Sequence, residues 1–118
     1  MTLDEIESNL LQFTGTEHWY QHPLFRRYLF TDGVRYVAEN CGAFWLMDAI
    51  FACQLEPKVK REEFQVWVLK VKDRSAVLTC DNGNGNIVYQ QEIPFTDFPL
   101  AEITMYFENS TLCLPAER

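Results

Sequence analysis

The pattern of apolar and polar positions divides the chain into a helical first part and an extended second part. Between Gly33 and Gln54, apolar residues recur every three or four positions, which is the period of an α-helix. The four consecutive apolar residues Phe44–Met47 do not fit the alternation of a half-buried strand. We therefore expect a central helical segment that the rest of the chain covers on more than one side.

Gly42 interrupts this central segment and leaves two interpretations open. A glycine inside a helix costs about 0.5–1 kcal/mol relative to alanine. The segment is therefore either two short helices joined at Asn40–Gly42 or one helix that packs tightly at that point. Thr31 or Asp32 can cap its N-terminus, and Pro57 ends the apolar run.

The first thirty residues predict a short helix followed by an aromatic segment. Thr2 and Glu5 have the spacing of a capping box, and an apolar stripe of helical period follows as far as Phe13. Residues 16–30 are rich in aromatic side chains and contain both histidines. We expect these aromatic residues to pack against the central helical segment.

From Phe64 onward the apolar period shortens to two, which predicts strands. In the first of them, Trp67 and Leu69 share one face while Val66 and Val68 share the other, so both faces are apolar and the strand is expected to be central. We expect the four C-terminal residues to be mobile. The predicted strands are residues 64–72, 76–80, 87–93, 102–107 and 111–114.

Helices followed by strands predict a single α+β domain over residues 1–118. The expected architecture is a set of N-terminal helices packed on one face of a four- or five-stranded antiparallel meander sheet. Because short turns connect the strands, no βαβ crossover and no parallel pair is expected. A chain of this length buries about two-thirds of its unfolded surface, which is enough for one core.

Charge and cysteine content narrow the functional classes. Seventeen acidic and ten basic residues give a net charge of −7, which repels a phosphate backbone and disfavours direct nucleic-acid binding. The N-terminus is acidic where a signal peptide is basic, and no apolar run is long enough to cross a membrane. The four cysteines show no CxxC spacing. We expect a cytoplasmic protein with free, buried thiols and no membrane association.

Catalytic and metal-binding motifs are absent from the sequence. It contains no P-loop, GxGxxG, GxSxG or HExxH. His18 and His22 have the spacing of zinc-binding histidines on a helix, but the accompanying glutamate is missing. Cys41 beside either histidine is a conceivable nucleophile, whereas Asp81 next to Cys80 raises rather than lowers the pKa of that thiol. We therefore assign no catalytic residue, no metal ligand and no cofactor.

Three stretches of the chain resemble a family of short, uncharacterised bacterial proteins. They are FTGTEHWY at residues 13–20, TDGVRYVAENCGAFWLMDAI at residues 31–50 and TDFPL at residues 96–100. The family is similar in length and recurs in cyanobacteria and on plasmids and other mobile elements. It carries no known activity, so the resemblance transfers no catalytic role. It implies a soluble bacterial protein with an accessory role tied to mobile DNA.

Two functions fit these observations. The leading hypothesis is a small acidic, non-catalytic protein that binds another protein through an exposed sheet edge or an aromatic patch, a homodimer being one form of this. The alternative is a small-molecule-binding or catalytic domain with a pocket between residues 16–30 and the sheet, lined by Trp19, His22, Asp48 and Trp67. Asp48 itself is a solvated edge residue, a partner for a buried polar group, or a functional carboxylate.

Overall fold

The N-terminal helix has the predicted start in the computed structural model, which describes residues 2–118. This helix, α1, is Leu3–Leu10, and the Thr2 hydroxyl accepts a hydrogen bond from the Glu5 backbone N–H at 3.2 Å. Phe13 lies just beyond the turn that follows the helix, and its ring packs on Tyr36 at 5.4 Å between centroids. The predicted N-terminal cap is therefore confirmed.

The central segment consists of two helices, α2 (Asp32–Asn40) and α3 (Phe44–Ala52). The Thr31 side chain caps α2 by accepting from the backbone N–H of Val34. Gly42, between the helices, has φ +60°, a left-handed conformation that glycine adopts without steric cost. Of the two interpretations, the one with two helices is correct.

A short connection links α3 to the sheet. It contains a 3-10 turn, Cys53–Leu55, and a one-turn helix, α4, Pro57–Lys60. Pro57 begins α4 at its first position, where a missing N–H is tolerated, and Val59 of this helix is fully buried. No helix within residues 2–118 is long and apolar enough to cross a membrane.

Within residues 2–118 the sheet has seven strands, in the order β1-β2-β7-β6-β3-β4-β5. Five of them, β3 to β7, are the strands that apolar alternation predicts, and two short ones come from the aromatic segment. The strands are β1 (Trp19–Gln21), β2 (Leu29–Thr31), β3 (Phe64–Lys72), β4 (Ser75–Asp81), β5 (Ile87–Ile93), β6 (Glu102–Glu108) and β7 (Thr111–Cys113).

The α+β class is confirmed, but the prediction of four or five purely antiparallel strands is wrong. β2 runs parallel to β7, with Leu29 opposite Thr111 and Phe30 opposite Leu112. This pair joins two segments that are far apart in sequence, so no local hairpin pattern predicts it. β1 and β2 have three residues each, which is too short for alternation to be recognised.

The helices lie on one face of the sheet. On that face, Trp67 and Leu69 of β3 are each 1% exposed, and the Phe51 ring of α3 contacts Phe107 of β6 at 6.0 Å between centroids. The opposite face of β3 carries half-buried apolar side chains, as the alternation predicts. β3 is an interior strand, paired with β4 and β6, so its predicted central position is confirmed.

The C-terminal residues are docked, so the prediction of a mobile tail is wrong. A 3-10 turn, Pro115–Glu117, buries the Glu117 side chain at 6% exposure. Its carboxylate accepts hydrogen bonds from the Thr31 hydroxyl at 2.7 Å and from the backbone N–H groups of Gly33 at 2.9 Å and Leu114 at 3.0 Å. The tail is thereby anchored to the start of α2.

Candidate functional site

Two of the four predicted site residues, His22 and Asp48, lie together. His22 Nε2 is 2.6 Å from Asp48 Oδ1, and His22 is 3% exposed. His22 Nδ1 accepts from the backbone N–H groups of Leu24 at 3.1 Å and Phe25 at 3.0 Å. Nε2 therefore carries the proton, and this N–H donates a hydrogen bond to Asp48. Both imidazole nitrogens are occupied, and Asp48 is the partner of a buried polar group.

The two predicted tryptophans lie elsewhere. Trp19, expected to pack against the central helices, is on the edge strand β1 and is 55% exposed. Trp67 is in the core, and its indole N–H donates to Gln65 Oε1 at 2.9 Å. The four predicted residues therefore do not form one site.

A different cavity lies beside Tyr28, and none of the four predicted residues lines it. Its volume is about 460 Å³. Tyr28 comes from the aromatic segment, Gln65 and Phe107 come from β3 and β6, and Gln54 follows α3. The remaining lining residues are Lys60, Glu62, Glu63, Asn109 and Ser110.

Gln54 and Gln65 form a buried amide pair at this cavity. The Nε2 of each donates to the Oε1 of the other, at 2.8 and 2.9 Å. Gln54 Nε2 also donates to the Ile50 carbonyl at 3.2 Å, and Gln65 Nε2 to the Val59 carbonyl at 3.0 Å. Trp67 also donates to Gln65 Oε1, so the Gln65 amide has a full set of partners. Among residues 2–118, Gln54 Oε1 accepts from Gln65 alone and can accept one more hydrogen bond.

Tyr28 is the residue of the aromatic segment that lines the cavity. Its ring packs against Phe51 at 5.3 Å and edge-on against Phe107 at 5.4 Å, and the residue is 9% exposed. Its hydroxyl has no hydrogen-bond partner within residues 2–118. Because no fully buried side-chain oxygen or nitrogen in that range lacks a partner, this hydroxyl is not fully buried, and Tyr28 lines the cavity.

Sequence reasoning missed these cavity residues for identifiable reasons. The aromatic side chains of residues 16–30, Tyr28 among them, are predicted to pack against the central helical segment, and the Tyr28 ring does so. One signal was available for Gln65. Gln65 is two residues before Trp67 and four before Leu69, so all three side chains point to the same face of β3. An amide on that core face is buried and therefore needs hydrogen-bond partners there.

The four cysteines are free and buried, as predicted. Burial raises the pKa of Cys41 and Cys53, and it raises the pKa of Cys80 to about 12 and of Cys113 to about 11. Asp81 is the second cause at Cys80, which confirms the predicted direction. Protonated thiols are weak nucleophiles. Among residues 2–118, no three potential metal ligands come close enough together to hold an ion.

β5 presents the longer of the two free edges of the sheet. It has seven residues, whereas β1 at the other edge has three. A bulge interrupts the β4–β5 pairing at the start of β5, and Pro94 follows the strand. The regular part of the edge is therefore residues 89–93, in which the side chains of Gln90, Gln91 and Glu92 are exposed.

The chain matches a family of unknown function (DUF6876) over residues 4–118 and belongs to that family. No curated protein and no solved structure matches it. The resemblance seen in the sequence to a family of uncharacterised proteins is therefore confirmed. The distribution in cyanobacteria and on mobile elements stays a prediction.

Proposed function

We propose that this family member is a non-catalytic interaction domain that associates with a second copy of itself through the open edge of β5. The observation that carries the proposal is the edge at residues 89–93, which has no strand beside it within residues 2–118, although Lys58 of α4 packs over the Tyr89 ring. An unpaired edge presents a row of backbone N–H and C=O groups with which another strand can pair. Proteins commonly block such edges with lysine, proline or a bulge. Here the bulge and Pro94 lie on either side of the segment and leave it open.

The edge segment is complementary to itself in one antiparallel register. With Gln91 on a two-fold axis, Gln90 faces Glu92 of the second copy, and Tyr89 faces Ile93. An aromatic side chain opposite a β-branched one stabilises an antiparallel pair by roughly 0.2–1 kcal/mol. No like charges meet in this register, whereas an axis at Glu92 would place two carboxylates opposite each other.

The same register keeps each side chain on its proper face. Tyr89 lies opposite the buried Cys80, and Ile93 lies opposite the buried Ala76, so both point to the helix side of the sheet. A two-fold axis perpendicular to the sheet at Gln91 preserves the faces, since it relates the helix side of one copy to the helix side of the other. The two sheets would then continue as one, with apolar side chains from both copies meeting on one side.

The chemistry of the core supports a non-catalytic role. The cysteine thiols are held protonated by burial, and both nitrogens of His22 are engaged within the protein. Free thiols persist in a reducing compartment, so the proposal places the protein in the cytoplasm. Each copy carries a charge of −7, so we expect association to strengthen as added salt screens the repulsion.

Charge substitution at Gln91 tests this proposal by sedimentation equilibrium. Gln91→Lys and Gln91→Glu each place like charges on the axis, so each variant alone should stay monomeric where the unsubstituted protein dimerises. An equimolar mixture of the two should dimerise again, because opposite charges then face each other. Gln21→Lys, an exposed glutamine on the other edge strand, should leave dimerisation unchanged.

Three results would overturn the proposal. The first is an unsubstituted protein that stays monomeric up to about 1 mM, where even weak interfaces associate. The second is a mixture of the two Gln91 variants that stays monomeric. The third is pairing of the β5 edge with a different protein in place of a second copy.

A further inference from the structure

We infer that the cavity beside Tyr28 is a binding site for a free amino acid with a large, uncharged side chain. The volume of about 460 Å³ lies toward the lower end of the roughly 300–1,000 Å³ typical of ligand sites. That size suits a single small metabolite. The site is independent of the β5 edge, to which it contributes no residue.

The lining of the cavity combines aromatic rings with polar groups that can form a further hydrogen bond. The rings of Tyr28 and Phe107 offer apolar contact for a side chain. The Tyr28 hydroxyl has no partner within residues 2–118, and Gln54 Oε1 accepts only from Gln65. A purely apolar ligand would cover the Tyr28 hydroxyl without giving it a partner, which is unfavourable. A ligand with its own hydrogen-bonding groups avoids that cost.

Charged residues of both signs also line the cavity. Lys60 supplies an ammonium group, and Glu62 and Glu63 supply carboxylates. None of the three forms an ion pair within residues 2–118. An amino acid carries one charge of each sign on neighbouring atoms, so its carboxylate can pair with Lys60 and its ammonium group with a glutamate. A phosphate ester is disfavoured, because two carboxylates and the overall negative charge would repel it.

An NMR titration of the ¹⁵N-labelled full chain with each of the twenty protein amino acids tests the inference. At least one amino acid with a large uncharged side chain should shift the side-chain amide signals of Gln54 and Gln65 in a saturable manner. The same amino acid with its amino group acetylated and its carboxyl group amidated should bind at least about 5-fold more weakly, because both charge-assisted contacts are lost. The Gln91→Lys variant should bind it with unchanged affinity, which separates this site from the edge.

Matched variants identify the contacts. Tyr28→Phe removes only the hydroxyl. It should weaken binding about 5-fold, which is the change in affinity typical of losing one hydrogen bond. Lys60→Gln should weaken binding by a similar factor, whereas Lys58→Gln, on the same helix but packed over the Tyr89 ring, should not. Lys60 is exposed, so its variant remains informative even if Tyr28→Phe folds poorly.

The inference is overturned by any of three results. One is a titration in which none of the twenty amino acids shifts the two glutamine signals. Another is an uncharged analogue that binds as tightly as the free amino acid. The third is full affinity in both Tyr28→Phe and Lys60→Gln.

Discussion

The two ends of the sheet differ in how they are closed. At the β1–β2–β7 end, polar contacts join residues that are distant in sequence, such as Glu117 with Thr31 and Gly33. At the other end, β4 and β5 form a hairpin of neighbouring segments, and the outer edge of β5 has no strand beside it within residues 2–118. The first end is expected to carry stability, and the second to be available for association.

This contrast also separates two uses of polar residues. The Glu117 carboxylate and the His22 ring are buried and hydrogen-bonded, so removing either leaves donors or acceptors unpaired inside the protein. The Gln90 and Gln91 side chains are exposed, so replacing them disturbs little within one copy. Substitutions at the two ends should therefore affect different measurements, folding stability at one and self-association at the other.

The largest loss of stability is expected from Glu117→Ala. The substitution leaves the Thr31 hydroxyl and two backbone N–H groups without their buried acceptor, which should lower the free energy of unfolding by about 2–4 kcal/mol. Urea denaturation measures this change. Glu7→Ala, at an exposed position of α1, is the control and should change stability by less than about 0.5 kcal/mol. A loss that small for Glu117→Ala would mean that the tail contact is not a stabilising one.

A smaller loss is expected from Gly33→Ala, which tests the same contact sterically. A Cβ at Gly33 would lie 2.5 Å from Glu117 Oε1 and 2.6 Å from Leu114 Cδ1. Relieving this overlap requires the tail to move, and we expect a destabilisation of about 1–3 kcal/mol by urea denaturation. Gly15→Ala, where a Cβ would meet nothing within 4 Å, should be nearly neutral. Equal effects of the two substitutions would contradict the docked position of the tail.

A pH-dependent contribution of about 0.5–1 kcal/mol is expected from Tyr20. Its hydroxyl donates to Asp32 Oδ1 at 2.8 Å and is the main cause that lowers the pKa of this carboxyl, with His18 adding to it. A lowered folded-state pKa gives stability that is complete above about pH 4 and is lost as the pH falls through the lowered value. Tyr20→Phe should flatten this part of the stability curve between pH 2 and pH 7, and Tyr106→Phe should not. An unchanged curve in Tyr20→Phe would show that this hydrogen bond does not set the acid dependence.

The smallest effect on the free energy of unfolding is expected at the β5 end of the sheet. Gln91→Lys changes an exposed side chain, so the free energy of unfolding of the monomer should change by less than about 0.5 kcal/mol. Urea denaturation at a concentration below that of association measures it. A large loss would mean that Gln91 stabilises the hairpin itself, and it would remove the contrast between the two ends.

The parts of the fold that were predictable from sequence depend on local patterns. The strands β3 to β7 follow from alternation, and the two caps at Thr2 and Thr31 follow from side chains that accept from nearby backbone groups. The parallel β2–β7 pair and the docking of Glu117 join distant segments. Nothing near Glu117 in the sequence indicates the donors that surround it in the folded chain.

The candidate site shows the same limit. Sequence reasoning predicted a pocket between the aromatic segment and the sheet, whereas the cavity beside Tyr28 is lined mainly by residues 54–65 and 107–110. It selected His22 and Trp67 by residue type, but these are satisfied inside the protein. Tyr28 lines the cavity instead, and its ring packs among Phe25, Phe51 and Phe107, which no local pattern predicts.

Hydrogen–deuterium exchange at the two sheet edges tests the central claim most directly. It is measured on the unsubstituted protein at concentrations below and above self-association. The account predicts that alternate backbone amides within residues 89–93 gain protection as the concentration rises, while residues 19–21 stay unchanged. The account is contradicted if protection from exchange appears at residues 19–21 instead. It is also contradicted if the protein associates while the amides of residues 89–93 stay unprotected.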